Sequence, residues 1–132
     1  MMDIVNKTQK NVLHSDPRWA LTIAEQAKGF MFQHPGNACI VFLFMPARAV
    51  GLHMWFVWGS IDVLALDGQG TVVALKERFR PFTFWYPGVT ASAIIELPVG
   101  TIARTKTGLG DTVVLPRRAG KSPFKNGDVN LK

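Results

Sequence analysis

Two short apolar runs, residues 61–66 (Ile-Asp-Val-Leu-Ala-Leu) and 71–76 (Thr-Val-Val-Ala-Leu-Lys), are separated only by Asp67-Gly68-Gln69-Gly70. Each run has strand length and strand composition, and a Gly-rich break of this size lets the chain reverse on itself, so the unit reads as a β-hairpin. Further runs of the same kind occupy 39–44, after the turn-forming His34-Pro35-Gly36-Asn37, then 52–58, then 93–97, closed by Pro98, and 112–115, opened by Gly110-Asp111. A possible first strand lies at 8–14. Strands joined by short turns, without regular alternation with helices, predict an α+β, mostly β fold: a compact antiparallel sheet or barrel-like core.

Two helices are expected beside it. Ser15-Asp16-Pro17 resembles a helix start, with Asp16 as N-cap and Pro17 in the first turn. Ala20, Ile23, Ala24 and Ala27 then recur at i, i+3, i+4 and i+7, and Gly29 supplies a stop. Residues 101–107 predict a shorter helix ended by Gly108.

The chain has 132 residues, 48% of them hydrophobic and 18% charged, which suits one folded domain over residues 1–116. Its net charge of +6 is unevenly placed. Residues 117–132 hold five bases against the single acid Asp128, whereas the first 116 hold ten bases and eight acids. The excess therefore reads as a solvated, flexible basic tail rather than a phosphate-tracking face, which disfavours nucleic-acid binding. The lone Cys39 sits in an apolar run and can close no internal disulfide, and residues 1–10 contain no apolar leader stretch. These features fit a soluble, cytoplasmic protein. The greasiest region, 38–66, is interrupted by Pro46, Arg48, His53, Gly59 and Asp62, so no transmembrane segment is expected.

Seven segments in order carry a resemblance: Gly29-Phe30-Met31, His53-Met54-Trp55-Phe56, Ile61-Asp62-Val63-Leu64-Ala65-Leu66-Asp67, Gly70-Thr71-Val72-Val73, Arg80-Pro81, Ile95-Glu96-Leu97-Pro98-Val99-Gly100 and Gly110-Asp111-Thr112-Val113. Together, over residues 20–115, the sequence resembles the domain of unknown function 192 family, an uncharacterised protein family of bacteria and archaea. The resemblance implies a mixed fold and no established activity. Phe30 stands where the family pattern has Leu, and Gln26 where it often has Arg. Val57, Trp58 and Ser60 replace a common Met, basic residue and Pro before the Ile-Asp pair.

Candidates for chemistry are few. Asp62 and Glu96 each interrupt an apolar strand, and an acid so placed must find donors or accept a raised pKa. Each is a candidate acid, base or ligand anchor, with structural hydrogen bonding as the alternative; Arg80 is an available partner for Glu96. An exposed outer face for Glu96 would leave Ile94 exposed beside it. His53, alternating with Trp55 and Val57, is a third candidate, and Asp111 reads as a turn cap before the last strand. A metal site would require His14, His34 and His53 to meet from distant segments, so no metal or cofactor is expected. No nucleophile elbow is present, and Gly68-Gln69-Gly70 lacks the helix and Lys of a phosphate loop. The segment 79–88 gathers Phe79, Phe82, Phe84, Trp85 and Tyr86, expected as a buried lid, or else, if exposed, as a surface for a planar ligand or a protein.

The expected function is a non-enzymatic ligand-binding or accessory protein, with Arg80, Phe82, Trp85, Asp62 and Glu96 around the ligand. The rivals are a small enzyme pairing Asp62 with Glu96 for acid and base work, and a tether to nucleic acid or an anionic surface through the basic tail. The partner, a small molecule or a protein, and the oligomeric state stay open.

Overall fold

The computed structural model describes residues 2–117. The chain opens with an antiparallel hairpin, β1 (Asp3–Asn6) and β2 (Asn11–Ser15), where the sequence suggested one strand at 8–14. It then forms β3 (Arg18–Ala20), α1 (Ile23–Lys28), the long β4 (Ile40–Ala49) and the short β5 (Leu52–His53). The predicted hairpin follows as β6 (Ile61–Leu66) and β7 (Val72–Phe79). After it come β8 (Phe84–Trp85), β9 (Thr90–Pro98), α2 (Thr101–Thr105) and β10 (Val113–Val114).

The strands form a five-stranded sheet in the order β3-β4-β9-β6-β7, a three-stranded sheet β10-β1-β2 and a two-stranded ribbon β5-β8. The described strands close no barrel, and the edge pair β3-β4 is parallel, against the antiparallel expectation. Strand β6 is buried along its whole length because both faces of the large sheet are covered. On one face, Val41, Leu64 and Ile95 pack with Ile4 and Val113 of the small sheet and Ile102 of α2. On the other, Phe42, Val63 and Ile94 pack with Phe30, Met54 and Phe79.

The first helix departs from its prediction. Asp16 is no cap: it adopts φ 51° in the turn from β2 into β3, so the chain gains a strand before it gains a helix. Thr22 caps α1 instead, its hydroxyl accepting from the Glu25 N–H while the Glu25 carboxylate accepts from the Thr22 N–H. Ala24 and Ala27 are exposed, so the stripe of small residues is not a buried packing face.

The central hairpin turns as read. Asp67 Oδ1 accepts from the N–H groups of Gln69 and Thr71, and the Gly70 N–H donates to the Asp67 carbonyl at 3.1 Å. Of the segment 52–58, only Leu52 and His53 form a strand. Pairing ends after His53, and a turn led by Met54 replaces the expected alternation, with Phe56 at φ 59° and Trp55, Phe56 and Trp58 exposed. No helix among the described residues is long and apolar enough to cross a membrane. The basic stretch from Arg118 onward lies outside the described residues.

Candidate functional site

The two strand-interrupting acids sit on neighbouring strands, Val63 opposite Glu96 and Asp62 opposite Leu97. Side chains alternate along a strand, so Asp62 shares a face with Leu64 and Leu66 while Glu96 shares one with Ile94. The two carboxylates therefore point to opposite sides of the sheet and do not face a common cleft.

Asp62 is fully buried and saturated with backbone donors. Its Oδ1 accepts from the Arg78 N–H at 3.0 Å, and its Oδ2 from the N–H groups of Gly100 at 3.1 Å and Ile102 at 2.9 Å. The Arg78 contact falls where β7 bulges against β6, and the other two tie down the start of α2. One side chain thus joins three elements, which is the structural alternative the sequence offered for it.

Glu96 is placed differently. It is buried on the face that carries Phe42 and Ile94, and its Oε1 has no hydrogen-bond partner among the described residues. Ile94 is buried too, so the explanation by a solvent-facing strand fails: Phe30, Met54 and Val57 from loops, with Leu52 and Trp85 of the β5-β8 ribbon, pack on that side. Burial pushes the Glu96 carboxyl up to about 8, with the positive charge of Arg18 acting against the rise. It is Arg18, not Arg80, whose charge Glu96 feels. The same burial, reinforced by Glu96, pushes the Cys39 thiol up to about 12, which leaves it an inert packing group.

A pocket of about 440 Å³ opens beside Glu96. Phe30, Phe42, Phe44 and Met54 supply apolar wall, and Gln26, Arg48 and His53 supply polar groups. Gly29 lies in the wall as well: at φ 47°, its missing side chain would stand 3.5 Å from Glu96 Oε1 and 3.5 Å from Phe42 Cζ. Gln26 organises the polar side. Its amide donates to the carbonyls of Ala20 and Leu43, and its Oε1 accepts from Arg48 Nη2 at 2.9 Å. The Arg48 guanidinium is thereby held over the Phe44 ring, 4.6 Å from its centroid. At the position where the family pattern often has Arg, this chain holds a Gln that grips an Arg from β4.

Of the residues expected around a ligand, Glu96 borders the pocket, and the catalytic candidate His53 joins it there. His53 Nδ1 accepts from the Trp55 N–H at 3.2 Å. Asp62, Arg80, Phe82 and Trp85 are not part of the pocket wall. Trp85 packs edge-on against Phe79, whereas Phe82, Phe84 and Tyr86 are exposed, so the segment 79–88 is no buried lid. Phe42, Phe44, Gln26 and Arg48 went unnoticed as site residues because an apolar strand and a helix end carry no pocket signal of their own.

Asp111 closes a separate polar knot. Burial raises its carboxyl, but donation from Asn6, the Gly108 N–H and Gln9 outweighs that and holds it below the usual range. Among the described residues no group of three or more His, Cys, Asp or Glu comes together to hold a metal.

A family model described as "Uncharacterized ACR", the domain of unknown function 192, matches residues 4–115. The chain belongs to this family. The UPF0127 protein of Thermococcus sibiricus is 35% identical over 113 residues, spanning 83% of this chain and 72% of that protein. A UPF0127 protein of Pyrococcus abyssi is 33% identical over 111 residues, spanning 83% of this chain and 94% of that one. Among solved structures, a protein of unknown function from Novosphingobium aromaticivorans superimposes with a TM-score of 0.76 at 25% identity, covering 86% of this chain and 83% of its own. The domain of unknown function 192 match spans both acids, the pocket and the polar knot, and these relatives carry the fold without a named activity.

Proposed function

We propose that this chain is a non-enzymatic binding protein for a small, largely apolar molecule bearing one hydrogen-bonding head group, such as a hydroxyl or an amide. The observation that carries this reading is Glu96 Oε1, buried in the wall of an apolar pocket and left without a partner. An orphaned buried acceptor costs about 1–3 kcal/mol, which a ligand donor recovers on binding. A carboxyl raised to about 8 is neutral near pH 7, so it both donates to and accepts from such a head group. The volume of about 440 Å³ suits a ligand of this size, and the aromatic walls give it an apolar seat.

The rival enzyme reading needed two converging carboxylates, and the opposite-face placement of Asp62 and Glu96 removes its geometric support. The test is calorimetry and thermal shift with straight-chain C6 to C10 alcohols and primary amides, alongside the matching alkylamines. Neutral-head compounds are expected to bind at pH 6.5 and to lose affinity above pH 8, where Glu96 ionises, while alkylamines gain. A panel without any shift, or binding unchanged in Glu96→Leu, refutes the proposal.

A further inference from the structure

Five rings that do not line the pocket stand together on the surface. Phe32, Trp55, Phe56, Trp58 and Phe82 are each between 45% and 65% exposed. They form one connected group: Phe56 lies 5.3 Å from Phe32, 5.8 Å from Phe82 and 6.5 Å from Trp58, and Phe82 lies 6.0 Å from Trp58 and 6.2 Å from Trp55, measured between centroids. A contiguous apolar patch on a small monomer marks an interaction surface.

The patch is built, not left over. It comes from three separate segments laced by backbone hydrogen bonds: Phe32 N–H to the Phe56 carbonyl at 2.6 Å, Trp58 N–H to Gln33 at 3.0 Å, and Phe82 N–H to Met54 at 2.8 Å. Phe32, Phe56 and Phe82 all take left-handed backbone conformations, with φ of 62°, 59° and 58°. Side chains rarely adopt that region, at a cost of about 1 kcal/mol or more each, and strain of this kind persists only where the surroundings impose it. Here it holds large rings toward water.

Charge indicates the occupant. Segments 30–36, 53–60 and 79–86 contain no Asp or Glu, and Arg80 stands exposed among them. The chain as a whole carries +6, with five bases and one acid in residues 117–132. Stacking of nucleobases is disfavoured, because Phe32 and Phe56 already spend ring faces on each other and only one Arg is available in the three segments to follow phosphates. Exposed Trp and Phe at loop tips, free of acids and set in a cationic chain, match the headgroup layer of an anionic bilayer.

We infer that the Phe32–Trp55–Phe56–Trp58–Phe82 platform docks this protein on anionic membrane surfaces, the rings entering the headgroup layer and Arg80 supplying attraction. The docking is peripheral.

The experiment is co-sedimentation of the full chain with vesicles of equal parts phosphatidylcholine and phosphatidylglycerol, against vesicles of phosphatidylcholine alone. The wild-type chain is expected to pellet with the anionic vesicles and to release as salt rises. Trp55→Ser combined with Phe82→Ser is expected to lower partitioning at least ten-fold. Arg80→Glu, which keeps every ring, is expected to lower it at least three-fold on anionic vesicles and to leave the neutral ones unchanged. The inference is overturned if the wild type stays in the supernatant or if the double variant pellets equally well. It is also overturned if light scattering shows a dimer that the double variant abolishes, or if a thymidine 20-mer rather than the vesicles is bound. None of these outcomes depends on the pocket ligand.

Discussion

Replacing Glu96 with Gln should abolish a loss of stability that the wild-type chain suffers as pH rises. In the folded chain the carboxyl titrates near 8, and in the unfolded chain near its ordinary value of 4.5. Between those values the folded state keeps a proton that the unfolded state has released, so raising the pH favours unfolding. The stabilising contribution of the protonated group is complete below about pH 4.5 and is lost as pH rises through about 8. At about 1.4 kcal/mol per pH unit the interval amounts to roughly 5 kcal/mol, a ceiling, because water admitted by the pocket solvates part of the charge. Gln has the shape of the neutral acid and does not titrate. Urea unfolding of both proteins at half-unit steps from pH 5 to 9 gives a difference curve in which all other groups cancel. That curve should climb in favour of the Gln variant from pH 5, level off above about pH 8, and favour it by several kcal/mol at pH 9. Parallel curves across the range would refute the placement of an uncompensated carboxyl in this pocket.

Asp62→Ala strips the acceptor from the N–H groups of Arg78, Gly100 and Ile102, and should cost about 3–5 kcal/mol in urea unfolding. A loss below about 1 kcal/mol would mean that the anchor is dispensable. Gly29→Ala forces a side chain into φ 47° and places its Cβ beside Glu96 and Phe42; a destabilisation of about 1–3 kcal/mol is expected, with weaker binding of C6 to C10 alcohols. Thr22→Ala removes half of the capping box of α1 and should cost about 1 kcal/mol, read as faster amide exchange confined to residues 23–28.

The β-hairpin, α2 and the strand around Glu96 were legible because local chemistry alone decides them: Asp67 and the glycines set the turn, and Gly108 follows the second helix closely. The first helix was misplaced because Asp16-Pro17 satisfies the rules for a helix start and for a turn equally well. Pairing of residues 18–20 with β4, a contact far along the chain, decides between them. The segment 52–58 misled for a related reason. Aromatic and β-branched residues favour strands only when a neighbouring strand accepts them, and after His53 none does. Of the site, Glu96 could be suspected from an acid among apolar neighbours, and so could Asp62, by the same signal. Only pairing register separates them, since Val63 rather than Asp62 lies opposite Glu96.

That register divides the large sheet into two sides with different freedom to change. On the side of Asp62, three backbone amides depend on one carboxylate, and the small sheet and α2 seal it off. On the side of Glu96, the covering is made of loops and the short β5-β8 ribbon, and among the described residues Glu96 Oε1 has no hydrogen-bond partner. Replacing Glu96 itself therefore changes the chemistry of the pocket wall without removing a hydrogen bond between the described elements. The two faces of one sheet thus carry buried acids of opposite kind, one that the backbone holds in place and one that the backbone leaves alone.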